Sequence, residues 1–123
     1  MQTTIIVITA VFFLGMGVYA LAAPAALARP FRIVVDTPES RSEIRAVYGG
    51  FGIAIAAVLT AAALGTGGIR TGVVVTVGAA LAGMALGRLI SRLADRATPF
   101  YPIWFYFWVE AVTAALLFSS AIW

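Results

Sequence analysis

The stretch from Ile44 to Leu64, IRAVYGGFGIAIAAVLTAAAL, decides the fold of this chain. Apart from Arg45 near its start it carries no charge. It approaches the roughly 20 residues that a helix needs to cross the hydrocarbon core of a bilayer. An apolar run of this length, with a single charge near its start, predicts a transmembrane helix.

Three further apolar stretches flank it, and together they predict helices over about 4–28, 38–65, 70–96 and 99–123. The turn Thr66-Gly67-Gly68 is so short that the second and third helices must be antiparallel neighbours, and its glycines accept positive φ. We therefore predict an all-α fold, an integral membrane four-helix bundle that forms a single domain over residues 1–123.

The composition supports a membrane protein. The chain is 63% hydrophobic and 11% charged, whereas a soluble domain is about half apolar and about one quarter charged. Cys, His and Lys are all missing from the sequence. This excludes disulfides, Cys or His metal sites, a Ser–His–Asp triad and Schiff-base chemistry. We therefore expect no cofactor and no metal.

Two proline-containing segments predict where helices begin. Thr37-Pro38-Glu39 has an N-cap residue, a proline at the first helical position and an acid favoured by the helix dipole. Thr98-Pro99 repeats the N-cap residue and the proline before the fourth helix, with Pro102 in the first turn of that helix. These patterns place the second helix start near residue 38 and the fourth near residue 99.

The arginines predict the orientation. Four spans leave only Arg70 at one face and place the other seven arginines at or near the opposite face. The positive-inside rule assigns the arginine-rich face to the cytoplasm, so both termini are expected to be extracytoplasmic. We predict a multi-pass protein of the bacterial cytoplasmic (inner) membrane. The arginines do not interleave with aromatic residues in a soluble segment, so we expect no nucleic acid partner.

Glu110 lies about 15 Å into the fourth helix, near the bilayer midplane. A carboxylate there needs either a positive partner or a proton. Arg88 and Arg45 enter from the nearest face, which favours an ion pair, although a protonated Glu110 lining a cavity is the alternative. A buried pair that only fixes helix register explains these residues equally well.

Small residues spaced four apart predict close helix contacts. They occur as Ala46-Gly50-Ala54 in the second helix and Ala79-Gly83-Gly87 in the third. This spacing is compatible both with contacts inside one chain and with a homo-oligomer or a larger membrane complex.

The chain resembles the bacterial membrane family called domain of unknown function 4345. The resemblance rests on four segments: Pro24-Ala25-Ala26-Leu27, Glu43-Ile44-Arg45-Ala46-Val47-Tyr48-Gly49-Gly50, Ala85-Leu86-Gly87-Arg88-Leu89 and Glu110. It implies a single four-helix membrane protein without naming a reaction. It marks a polar cluster of candidate site residues: Glu43, Arg45, Tyr48, Arg88 and Glu110.

Three functions are compatible with these residues. The leading hypothesis is a binding or accessory protein that holds a membrane lipid, or an apolar small molecule with an anionic head, in an inter-helical pocket. The second is a membrane-embedded enzyme of the isomerase or cyclase type with Glu110 as general acid or base. The third is a small oligomeric transporter.

Overall fold

The computed structural model describes residues 1–122. It contains four helical spans that are each long and apolar enough to cross a membrane: Gln2–Ala22, Pro38–Ala63, Arg70–Ala94 and Phe100–Ile122. The predicted all-α fold with four membrane-spanning helices is therefore confirmed. The last residue of the fourth predicted helix, Trp123, lies outside the described residues.

The first span is shorter than the predicted helix over 4–28. It ends at Ala22, Ala23 adopts φ −141° and ψ 65°, and a separate short helix covers Pro24–Ala28. The break has a direct cause, because a proline has no N–H for a helical bond and its ring clashes with the carbonyl four residues earlier. The third span also ends slightly earlier than predicted, at Ala94, where Asp95 becomes extended.

The start of the second span is as predicted. The Thr37 hydroxyl accepts the Ser40 N–H at 3.0 Å, the Ser40 hydroxyl accepts the Thr37 N–H at 3.1 Å, and Pro38 opens the helix. The two reciprocal bonds satisfy backbone donors that a helix start leaves without partners.

The prediction that Thr98 caps the fourth span is wrong. Pro99 occupies the capping position without a side-chain cap, and helical structure begins at Phe100. Tyr101 then interrupts the first turn with φ −94° and ψ 133°. The physical reason is Pro102, since a residue that precedes proline is pushed from helical to extended backbone.

The turn between the second and third spans is also as predicted. Gly67 and Gly68 adopt φ of 60° and 67°, and Gly65 before them adopts 74°. Arg70 secures this end of the bundle, because its Nε and Nη2 donate to the carbonyls of Ala62 and Ala63 at 3.2 and 2.8 Å. A cation here complements the negative end of the second span's helix dipole.

The first span packs along the second, and the third along the fourth, with the core between the two pairs. That core consists of Ile6, Ala10, Phe13, Ala56, Leu59, Val74, Val77, Leu81, Ala114 and Leu117. A smaller cluster of Ala20, Ala28, Val35 and Ile44 lies at the arginine-rich end. Because Ala28 and Val35 belong to it, the connection between the first two spans is folded onto the bundle rather than left in solvent.

Both predicted small-residue stripes face outward in the monomer. Among residues 1–122, an added Cβ at Gly50 would have only a backbone oxygen 3.9 Å away, and one at Gly83 or Gly87 would have nothing within 4 Å. The close helix contact instead joins Gly17 to Gly49 and Gly52. The second span contains a wide π-helical turn over Arg45–Gly50, and Gly49 in this turn approaches the first span.

Candidate functional site

A buried ion pair joins the third and fourth spans. The Arg88 Nε donates to Glu110 Oε1 at 2.8 Å, and its Nη2 donates to Glu110 Oε2 at 2.9 Å. Only 4% of Glu110 is exposed. Two parallel charge-assisted hydrogen bonds are the strongest geometry that an arginine and a carboxylate form, and they fix the plane of the guanidinium.

Aromatic rings cover this pair. The guanidinium carbon of Arg88 lies 5.9 Å from the centre of the Phe31 ring and 6.0 Å from that of Tyr106. The centres of these two rings are 5.5 Å apart. Phe31 belongs to the short turn Arg29–Phe31 after the first span. The connection therefore shields the pair and adds an attraction between the cation and the ring faces.

The five candidate residues from the sequence do not form one cluster. The structure joins Arg88 to Glu110, whereas Arg45 is exposed and its Nε donates to the Leu21 carbonyl at 3.1 Å. Arg45 thus satisfies a carbonyl at the end of the first span. Tyr48 packs against the small cluster near Ile44, and Glu43 is exposed.

A groove of about 330 Å³ opens between the third and fourth spans at the arginine-rich end. Its polar lining comes from three arginines and two hydroxyl residues, and its apolar lining from four other residues. In chain order the lining consists of Met84, Gly87, Arg88, Ser91, Arg92, Arg96, Thr98, Ile103 and Trp104. Arg88 therefore has two environments: it bonds Glu110 on one side and borders the groove on the other.

Arg92 and Arg96 were missed among the candidate site residues. The signal was present in the sequence, because Arg88, Arg92 and Arg96 are spaced four apart. Residues four apart lie above one another on a helix face. By themselves these arginines indicate the orientation of the chain in the membrane, because arginines at a helix end also interact with lipid phosphates.

Chemically, the site suits anion binding better than proton transfer. Both oxygens of Glu110 accept hydrogen bonds from Arg88, and Glu110 does not belong to the groove lining. The guanidinium groups and hydroxyls that border the groove donate hydrogen bonds, and they are poor acids and bases near neutral pH. They match the oxygens of phosphate and carboxylate groups.

The comparisons with known proteins identify a family. A family model described as "Domain of unknown function (DUF4345)" matches residues 1–120, which is nearly the whole chain. No curated protein and no solved structure matches the chain significantly.

Proposed function

The chain belongs to the DUF4345 family, and from that premise we propose that it binds an anionic membrane amphiphile in the groove between its third and fourth spans. The ligand is a lipid or another apolar molecule with an anionic head. The groove, rather than the ion pair itself, is the binding site.

The observation that carries this proposal is the convergence of three arginines on one groove that also has apolar walls. Arg88, Arg92 and Arg96 line it together with Met84 and Trp104. A basic pocket between transmembrane helices near the membrane surface is the arrangement by which proteins recognise anionic lipid head groups. The apolar lining accommodates the chain that follows the head group.

The ion pair supports binding by holding Arg88 in place. Arginine has a flexible side chain, and ordering it on ligand binding costs free energy. Glu110 fixes the guanidinium before any ligand arrives, because it accepts hydrogen bonds from both Nε and Nη2. Glu110 is therefore a positioning residue in this proposal.

Removing a groove arginine should reduce the amount of bound anionic lipid. We expect Arg92→Gln and Arg96→Gln each to weaken retention of phosphatidylglycerol by about 5- to 30-fold. This corresponds to the loss of roughly 1–2 kcal/mol from a partly exposed charged contact. The measurement is native mass spectrometry of protein from neutral detergent with graded additions of the lipid.

The matched control is Arg29→Gln, which removes an exposed arginine that does not line the groove. It changes the net charge by the same amount and should leave retention within about twofold of the original. Equal losses in all three variants would show that net charge rather than the groove retains the lipid, and the proposal would then fall.

The groove is further proposed to open toward the cytoplasmic leaflet of a bacterial inner membrane, as the arginine distribution predicts. The chain has no cysteine, so single-cysteine variants test this directly. In intact cells, an impermeant maleimide should label Thr66→Cys and leave Glu39→Cys unlabelled until the membrane is opened. Both residues are exposed in the structure. Labelling of both variants from outside would contradict this topology.

A further inference from the structure

We infer that the groove selects an amphiphile whose two phosphates are joined in series at the end of one apolar chain, that is, a diphosphate monoester. This inference deepens the proposed function and rests on it. It names the class of anionic head that the arrangement of the arginines fits.

The groove arginines form a ladder along the helix axis. Arg88 and Arg92 lie on one face of the third span, four residues apart, which corresponds to a rise of about 6 Å. Arg96 follows the end of that span at Ala94 and lines the same groove. The positive charges therefore follow one another from the interior of the span toward its end.

The part of the groove lining that comes from the third span and the residues just after it becomes more polar in the same direction. Met84 and Gly87 precede Arg88 along the third span, while Ser91, Arg92 and Arg96 follow it. No atom of the described residues lies within 4 Å of a Cβ added at Gly87, so the space beside Gly87 is open. An amphiphile thus fits with its chain beside Met84 and its head group at the arginines.

The direction of the ladder distinguishes between types of anionic lipid. A helix that crosses the bilayer has its axis close to the membrane normal, and so the ladder runs along the length of a membrane amphiphile. Two phosphates joined in series present their oxygens one after another in this direction. In a lipid whose two phosphates lie side by side in the plane of the membrane, the line that joins the phosphates runs perpendicular to the row of arginines.

The charge of the groove also favours more than a single phosphodiester. Within residues 1–122, Arg88 is paired with the carboxylate of Glu110, whereas Arg92 and Arg96 bring further positive charge to the lining. Asp95, their neighbour in sequence, uses its carboxylate to accept the backbone N–H of Arg96 at 2.8 Å. Two additional guanidinium groups match a head with several ionised oxygens better than one with a single charge.

The test compares three head groups that are attached to the same farnesyl chain. Farnesyl diphosphate, farnesyl monophosphate and farnesol are titrated against the detergent-solubilised protein, with bound molecules counted by native mass spectrometry. We expect the diphosphate to bind about tenfold more tightly than the monophosphate, since it engages at least one more charged donor. Farnesol should bind weakest. A lipid with two phosphates in the membrane plane, cardiolipin, should bind no more tightly than the monophosphate.

Variants and a soluble probe separate the alternatives. Arg92→Gln and Arg96→Gln should reduce the preference for diphosphate to within about twofold, while Arg29→Gln should retain it. Inorganic pyrophosphate should compete weakly, because it lacks the apolar chain. Competition as strong as that of farnesyl diphosphate would overturn the membrane ligand in favour of a soluble diphosphate.

Two sets of results separate a missing diphosphate preference from a missing binding site. Equal binding of monophosphate and diphosphate, still lost in Arg92→Gln, would overturn the diphosphate preference and leave anionic lipid binding intact. Binding of no anionic amphiphile, or binding unaffected by Arg92→Gln and Arg96→Gln, would overturn both.

Discussion

Arg88→Gln is expected to destabilise the protein by about 3–5 kcal/mol, because it leaves the carboxylate of Glu110 buried without its partner. The side chain of Glu110 is only 5% exposed, and both of its oxygens bond Arg88. Among the contacts within residues 1–122, Arg88 is the only side chain that donates hydrogen bonds to this carboxylate. The variant would therefore leave a buried, desolvated acid without its partner.

Glu110→Gln should cost less than Arg88→Gln. The Arg88 side chain is 20% exposed and borders the groove. Once released from Glu110, its long side chain can turn toward water and lipid phosphates at the membrane surface. We expect a smaller loss of stability, about 2–3 kcal/mol.

The double variant Arg88→Gln with Glu110→Gln measures the coupling. Removing both charges leaves no buried ion, so much of the stability should return and the two single effects should not add. Reversible unfolding in mixed micelles provides the free energies, with Arg45→Gln as the control. Arg45 bonds a backbone carbonyl rather than Glu110, and its change should show no coupling to Glu110→Gln. Additive effects of Arg88→Gln and Glu110→Gln would contradict the ion pair.

Gly17→Ala and Gly52→Ala are expected to have the next largest effects, each about 1–3 kcal/mol of destabilisation. An added Cβ at Gly17 would lie 2.8 Å from the Gly49 carbonyl oxygen, and one at Gly52 would lie 2.9 Å from that of Phe13. These neighbours are backbone atoms, which cannot rotate aside. The first and second spans would have to separate along the contact that joins them.

Gly50→Ala and Gly83→Ala are the matched controls for this prediction. Both residues are helical glycines. In the part of the chain that the structure describes, a Cβ added at Gly83 would have nothing within 4 Å, and one added at Gly50 would have only the Arg45 carbonyl oxygen, at 3.9 Å. Alanine favours a helix over glycine by about 1 kcal/mol, so these variants should be neutral or more stable. Unfolding in detergent measures all four changes. Loss of stability in Gly83→Ala and not in Gly17→Ala would mean that the helices pack through the other face.

The expectation that Gly50 forms the close contact is corrected by this geometry. The sequence pattern Ala46-Gly50-Ala54 is a packing motif by spacing, yet these three residues are exposed in the monomer. The adjacent Gly49 is buried instead. A shift of one residue turns a helix by about 100°, which exchanges a packed position for an outward-facing one.

The amino-acid sequence by itself determined the four spans, the turn at Gly67-Gly68 and the cap at Thr37. Each depends on local properties: the length of an apolar run, the φ that glycine tolerates, and a side chain that bonds the nearest free backbone groups. Pro24 and Pro102 also carried local information, because proline restricts its own backbone and that of the preceding residue.

Only the tertiary structure decided which face of each span is buried and which arginine meets Glu110. A soluble helix reveals its buried face by its apolar stripe, but a helix in lipid is apolar on every side. For the same reason, the sequence does not distinguish Arg45 from Arg88 as the partner of Glu110, whereas the packing of the spans does. The groove depends on the spacing between two helices and on Arg96 beyond the helix end, and neither is a property of any single stretch of sequence.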